Sequence, residues 1–142
     1  MILIDTDHVT LFKYPENERT RRLIARLSAL PGTELIGVSI VTVEERMRGW
    51  LAAIAKERTT TRQVFGYRAL GELFEFYHQF EIIPFDEPTA RQFDDLRSQR
   101  VRLGTRDLKI AATALVRSAL LVSANLSDFT KVPGLRVENW MD

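Results

Sequence analysis

The chain has 142 residues, 45% of them apolar and 27% charged, with a formal net charge of +1. That size and balance suit one compact domain over residues 1–142, and the near-neutral charge gives no bulk signal for nucleic acid. The absence of cysteine excludes disulfides and thiolate metal sites, and no apolar run approaches the ~20 residues a membrane span needs.

In chain order, residues 2–4 (Ile-Leu-Ile) form a short apolar run of the kind expected of a strand covered on both faces. No basic segment or cleavage site precedes it, so no secretion signal is expected and the cytoplasm is the expected location. A short helix follows through about Leu11 and Phe12, and Leu23, Ile24, Leu27 and Leu30 mark a second over residues 16–30, stopped by Pro31-Gly32. Leu35 to Val38 read as a second strand. A helix then starts at about Ser39 or Thr42 and runs through Met47, Trp50, Leu51 and Ile54. Val64, Tyr67, Leu70, Phe74 and Tyr77 recur at steps of three and four, which predicts a helix over residues 60–79 with an aromatic stripe facing the core. Residues 81–84 hold a third strand. Asp86 looks like an N-cap, with Pro88 in the first turn, for a helix reaching about Ser98. Gly104-Thr105 opens a further helix to about Ser118, residues 120–122 form a fourth buried strand, and residues 135–138 add a fifth. Strands separated by helices imply a three-layer α/β/α domain around a parallel sheet of four to five strands.

Ligands of open parallel sheets bind beyond the carboxyl ends of the strands. Asp5 ends the first strand and Asp7 follows it. Glu44 and Glu45 lie early in the helix after strand two, Asp107 in the first turn of the helix that feeds strand four, and Asn125 and Asp128 just after strand four. Each has a plain structural explanation. Thr42-Val43-Glu44-Glu45 fits a capping box, Asp107 meets a helix dipole, and Asp128 suits a turn. Together, however, acids from four segments converge on one rim, where they repel and take up protons unless a cation compensates. Oxygen ligands select a hard divalent ion, Mg²⁺ or its substitute Mn²⁺. Such an ion activates water and neutralises phosphoryl charge. With only two histidines, His8 and His78, a zinc site is disfavoured, and His8 is expected to pack or to support the rim. Arg46, Arg48, Arg102, Arg106 and Lys109 flank the acids and are candidates for contacts to a nucleic-acid backbone. The run Arg19, Arg21, Arg22 and Arg26 reads as a solvated helix face.

Four pieces then stand in order: Leu3-Ile4-Asp5-Thr6-Asp7, Thr42-x-x-Glu45-x-x-x-Gly49, Gly104-x-x-Asp107-x-x-Ile110-Ala111 and Asn125-x-x-Asp128-Phe129. The chain resembles a PIN domain of the VapC toxin type over nearly its whole length, including the closing Pro133 to Trp140 segment. The resemblance implies an endoribonuclease acting on structured RNA of the tRNA, rRNA or mRNA class, with a Mg²⁺ or Mn²⁺ site. It implies that Asp5, Glu45 and Asp107 are the core metal-binding acids, with Asp128 the fourth and Asn125 assisting. Glu44 is the rival to Glu45. The resemblance further implies a homodimer restrained by a small cognate antitoxin. Three pieces depart from the usual pattern: Asp7 in place of Asn, Ser123-Ala124-Asn125 in place of Thr-Asn-Asn, and Arg106 in place of an apolar or aromatic residue before Asp107. An arginine there either touches RNA or pairs with a rim acid.

Two other readings stay open at this point. Asp5-Thr6-Asp7-His8-Val9 also fits a haloacid-dehalogenase-type phosphatase, with Asp5 as nucleophile, Asp7 as general acid–base and Ser123 ending strand four as that family's second motif. That reading leaves Glu45 and Asp107 idle. The other is a non-catalytic PIN-like binding module or a receiver-like domain, for which Asp86 would be the only acceptor.

Overall fold

The computed structural model describes all 142 residues. Five strands, β1 (Ile2–Ile4), β2 (Ile36–Ser39), β3 (Glu81–Ile83), β4 (Leu120–Val122) and β5 (Arg136–Glu138), form one sheet in the order β3-β2-β1-β4-β5. Every pairing is parallel. Seven helices cover it: α1 (Thr6–Leu11), α2 (Glu18–Ser28), α3 (Ile40–Lys56), α4 (Thr60–Tyr77), α5 (Glu87–Ser98), α6 (Thr105–Val116) and α7 (Leu126–Phe129). This is the three-layer arrangement expected from the alternation of apolar runs and helical periods. No helix is long and apolar enough to cross a membrane.

The side-chain alternation of β1 divides the core. Leu3 points to one face and packs with Phe93 and Leu96 of α5, Leu108 and Ala111 of α6 and Phe129 of α7. Ile2 and Ile4 point to the other and pack with Val9 of α1, Leu23 of α2 and Leu73 and Tyr77 of α4. Helix α3 serves both, with Val41 on the first side and Met47 and Trp50 on the second. Leu3 is fully buried, so its truncation to alanine is expected to cost roughly 2–5 kcal/mol.

Three local expectations need correction. Helix α3 is capped by Ser39, whose hydroxyl accepts the Val41 amide at 3.1 Å. Thr42 therefore lies inside the helix, and the capping box with Glu45 does not form. The stripe of α4 faces the core only in part: Val64, Tyr67 and Phe74 are exposed, whereas Leu70 packs against the core and Tyr77 is buried in it beside Gly66 and Leu73. Gly66 sits against α3, where a Cβ would meet Ile54 Cγ1 at 2.6 Å, and the α3–α4 hairpin turns the exposed residues of α4 outward. Finally, Asp128 is not in a simple turn but in the short helix α7.

The strand order reverses at β1. The chain moves outward through β2 and β3, then returns to the far side of β1 for β4 and β5. The crevice between the carboxyl ends of β1 and β4 is the switch point at which open α/β sheets bind ligands. The Asp5 amide closes that junction by donating to the Val122 carbonyl at 3.0 Å.

Candidate active site

Asp5 leaves β1 directly into α1 and caps it, accepting the Thr6 amide at 2.8 Å. Its second oxygen accepts the Ser123 hydroxyl at 2.8 Å, across the β1–β4 switch point. Only 4% of Asp5 is exposed. Burial pushes its carboxyl above the ordinary carboxylate range; the Ser123 and Thr6 hydrogen bonds oppose this, and the charges of Asp7 and Asp107 add to it. Asp5 therefore lies within the field of two other acids, one of them on α6.

Asp7 has its oxygens occupied. One accepts both the His8 amide and His8 Nδ1, each at 2.6 Å. The other accepts the Ala124 amide at 2.9 Å and lies 3.4 Å from the Ser123 hydroxyl. Burial pushes Asp7 upward, but the His8 and Ala124 hydrogen bonds outweigh it and hold the carboxyl below its usual range. His8 is fully buried, and its Nε2 accepts the Trp140 amide at 3.1 Å. With Nε2 an acceptor, Nδ1 carries the proton and donates to Asp7. Asp7 thus belongs to a bonded chain running from the end of β4 through α1 to the C-terminal segment, and it supports the rim more than it faces it.

Glu45 and Asp107 meet through a cation. The Arg106 guanidinium pairs with Glu45 on α3. It also donates to Asp107 Oδ1 from Nη2 at 2.9 Å and from Nε at 3.2 Å. These hydrogen bonds and charges hold the guanidinium even more firmly protonated than usual, against the opposing effect of burial. Glu44 turns away and pairs with Arg48 at 3.0 Å, one turn along α3. Asp128 is the most remote of the four principal acids. It accepts from Asn125 Nδ2 at 3.1 Å and from Lys131 at 3.0 Å, and the Asn125 and Lys131 contacts hold its carboxyl below the usual range. It reaches Asp5 only in relay, because the Asn125 amide donates to the Ser123 hydroxyl at 3.1 Å and that hydroxyl donates to Asp5.

The donors on this rim are carboxylate and hydroxyl oxygens, the set a hard divalent cation takes. Two buried hydroxyls beside it, Thr6 Oγ1 and Thr42 Oγ1, have no hydrogen-bond partner. In chemical type the residues fit Mg²⁺ or Mn²⁺. As the side chains stand, however, no three Asp, Glu or His groups are gathered so that they could hold one metal ion. The positive charge among them is Arg106.

The flanking bases divide. Arg48 is paired with Glu44. Arg46 lines a cleft with Thr6, Glu45, Gly49 and Trp50. Lys109 lines a second cleft with Glu44, Glu45, Arg48 and Arg106, and its ammonium lies 5.7 Å over the Phe85 ring. Arg102 lies farther along, with Arg100 and Lys131. The run from Arg19 to Arg26 is a solvated face, with Arg21 and Arg22 paired to Glu16 and Glu18.

Sequence reasoning gave Ser123 a role only in the phosphatase alternative and did not count it among the rim residues. The hydroxyl is fully buried and touches Asp5, Asp7 and Asn125. Its position at the end of β4, beside β1, was the available signal.

Comparison with known proteins places this geometry. The model of the PIN domain matches residues 2–135. The chain is 26% identical over 131 residues to Ribonuclease VapC2 of Rickettsia felis, covering 89% of this chain and 90% of that one. It is 28% identical over 112 residues to the tRNA(fMet)-specific endonuclease VapC of Salmonella typhimurium, covering 76% and 77%. Among solved structures, the R. felis VapBC2 complex bound to a promoter DNA fragment superposes with a TM-score of 0.71 at 22% identity, covering 99% of both chains. The FitAcB structure from Neisseria gonorrhoeae gives 0.66 at 26%, covering 98% and 97%. With a parallel sheet in the order β3-β2-β1-β4-β5 and a family match over residues 2–135, the chain belongs to the PIN domain family.

Proposed function

We propose that the chain is a VapC-type ribonuclease, a hydrolase of RNA phosphodiester bonds and the toxin of a toxin–antitoxin pair, working with Mg²⁺ or Mn²⁺. The observation that carries this reading is the placement of Asp5. It is buried at the switch point, where burial and the charges of Asp7 and Asp107 outweigh its hydrogen bonds to Ser123 and the Thr6 amide, so a bound cation would favour its ionised form. Asp5, Glu45 and Asp107 would hold the ion, and Asp128 would complete the set from the α7 side. When bound, the ion supplies an activated water and neutralises charge on the scissile phosphate.

The chain's own residues prepare that site. Ser123 and the Thr6 amide fix both oxygens of Asp5. His8 and the Ala124 amide fix Asp7, and so hold the β4–α7 loop against α1. Asn125 orients Asp128. Arg46 and Lys109 line clefts on either side of Glu45, where an RNA backbone would pass. The phosphatase alternative leaves Glu45 and Asp107 idle, and in this structure both oxygens of Asp7, its general acid–base, are already bonded.

Solved structures of the same fold support the partner assignment: they include VapBC and FitAB assemblies bound to DNA and a toxin–antitoxin complex from Klebsiella pneumoniae. A cognate antitoxin protein is proposed on that basis, and a homodimeric toxin on the family resemblance alone. Incubation of the purified chain with structured RNA and Mg²⁺ tests the activity. Cleavage that EDTA and the Asp5→Asn variant both abolish is expected. Cleavage that persists in Asp5→Asn, or phosphatase activity with a trapped Asp5 adduct, defeats the proposal.

A further inference from the structure

The rim holds a cation of its own, and its position is electrostatically odd. Arg106 is the second residue of α6, in the first turn, where the positive end of the helix disfavours a cation. It stays because two carboxylates hold it there, Glu45 from α3 and Asp107 from its own helix. Three of its nitrogens are engaged, and among the contacts recorded at this rim its guanidinium is the group that bridges α3 and α6. We propose that Arg106 is a displaceable internal counter-ion: it takes the oxygens of Glu45 and Asp107 that a divalent ion requires, and it leaves them when that ion binds. The inference rests on the metal reading of the site given above.

Three observations support it. First, with Arg106 in place no three acids are arranged to close on one ion, although their oxygens are the right kind. Second, the Arg106 side chain is 41% exposed and lies at an open cleft of about 290 Å³ with Thr105, Lys109 and Arg48, so solvent adjoins it on that side. Asp107, at 16%, is the more enclosed partner and stays on the rim. Third, the charges argue for exchange. Without the guanidinium, Glu45, Asp107 and the buried Asp5 would share the rim as three uncompensated negative charges. A bound Arg106 therefore stabilises the metal-free protein by the same interactions that it withholds from the ion, and the ion's apparent affinity falls by the fraction of molecules in which Arg106 is swung away.

The test is Mn²⁺ binding to the purified chain, measured by the loss of the free-ion electron paramagnetic resonance signal. Thermal melts with and without Mn²⁺ run beside it. Wild type is compared with Arg106→Gln, Arg106→Lys and Asp5→Asn. Arg106→Gln is expected to bind Mn²⁺ about fivefold to tenfold more tightly, the range that loss of a partly exposed ion-pair network gives. Arg106→Lys, which keeps the charge but not the two-pronged fork, is expected to fall between. In the metal-free state Arg106→Gln should melt lower than wild type, and Mn²⁺ should raise its melting temperature by more. If Arg106→Gln does not fold, the ranking of Arg106→Lys against wild type decides, tighter binding supporting the proposal. Mn²⁺ binding that Asp5→Asn abolishes, but that the Arg106 variants leave unchanged or weaken, overturns this inference and leaves the metal site standing. Absence of Mn²⁺ binding in every protein overturns both.

Discussion

The Ser123 hydroxyl donates to Asp5 over 2.8 Å, and by that bond the ends of β4 and β1, 118 residues apart in sequence, share one proton donor at the sheet's switch point. It is one of two hydrogen bonds that lower the carboxyl while burial raises it. Ser123→Ala removes it and lets the Asp5 pKa climb further. The acid limb of the pH–rate profile for RNA cleavage should move to higher pH. Activity should fall roughly tenfold at pH 6 and less at pH 8. An acid limb that stays in place would show that Ser123 does not tune Asp5.

Asp5→Asn should separate stability from function. The folded-state pKa of Asp5 is raised, so its contribution to stability is full below the unfolded value and is lost as pH rises through the folded one. At pH 7.5 without metal, ionised Asp5 is a cost that asparagine removes. The variant should melt about 2–4 °C above wild type there, with the gap closing as pH falls through the folded-state value toward the unfolded one. RNA cleavage and the Mn²⁺-induced rise in melting temperature should both disappear in the variant. Differential scanning calorimetry across that pH range is the check.

His8→Ala breaks a buried chain of three partners. It empties a fully enclosed site, leaves the Trp140 amide without its acceptor and removes the Nδ1 hydrogen bond from Asp7. The expected cost is about 2–4 kcal/mol. Asp7 has a lowered folded pKa, so its stabilisation is present above the unfolded value and is lost as pH falls through the folded one. Urea midpoints for wild type and variant should therefore differ most near pH 7 and approach each other below about pH 4. An equal gap at both pH values would mean that the histidine contributes packing alone.

Asp86 tests a different segment. It caps α5 by accepting the Thr89 amide and hydroxyl, and it pairs with Arg117 at 3.0 Å. The Thr89 hydroxyl and then the Arg117 charge are among the contacts that hold it below the usual carboxylate range. That stabilisation is present above the unfolded pKa and fades as pH drops through the folded value. Asp86→Ala should lower the melting temperature by a few degrees at pH 7 and by less at pH 3, with RNA cleavage unchanged. A large loss of cleavage at full stability would point to a signalling role for Asp86.

Most of the sheet is legible in the sequence because its strands are continuous apolar runs bounded by helix starts. Ile2-Leu3-Ile4 and Leu120-Leu121-Val122 are buried on both faces, so their composition alone marks them. The rim is legible in part. Asp5, Asp107 and Asp128 can be assigned to strand ends and first turns without coordinates. Side-chain pairing cannot, because a guanidinium reaches far and its choice between RNA and Glu45 is set in three dimensions. The exposed Phe74 and Tyr67 escaped for a related reason: a helical period identifies one apolar face, but α4 packs on α3 and on the sheet through a partly different one, set by Gly66.

The position of β1 has a consequence for how such an enzyme is made. This three-residue strand lies at the middle of the sheet, and one of its neighbours, β4, begins at Leu120. A ribosome therefore delivers Asp5 first but Ser123 and Ala124 near the end, and until they emerge the acid has neither its hydroxyl partner nor its closed junction. Domains complete their packing only when the whole unit has left the exit tunnel. Unfinished chains accordingly carry Asp5 without the Ser123 bond that fixes its second oxygen.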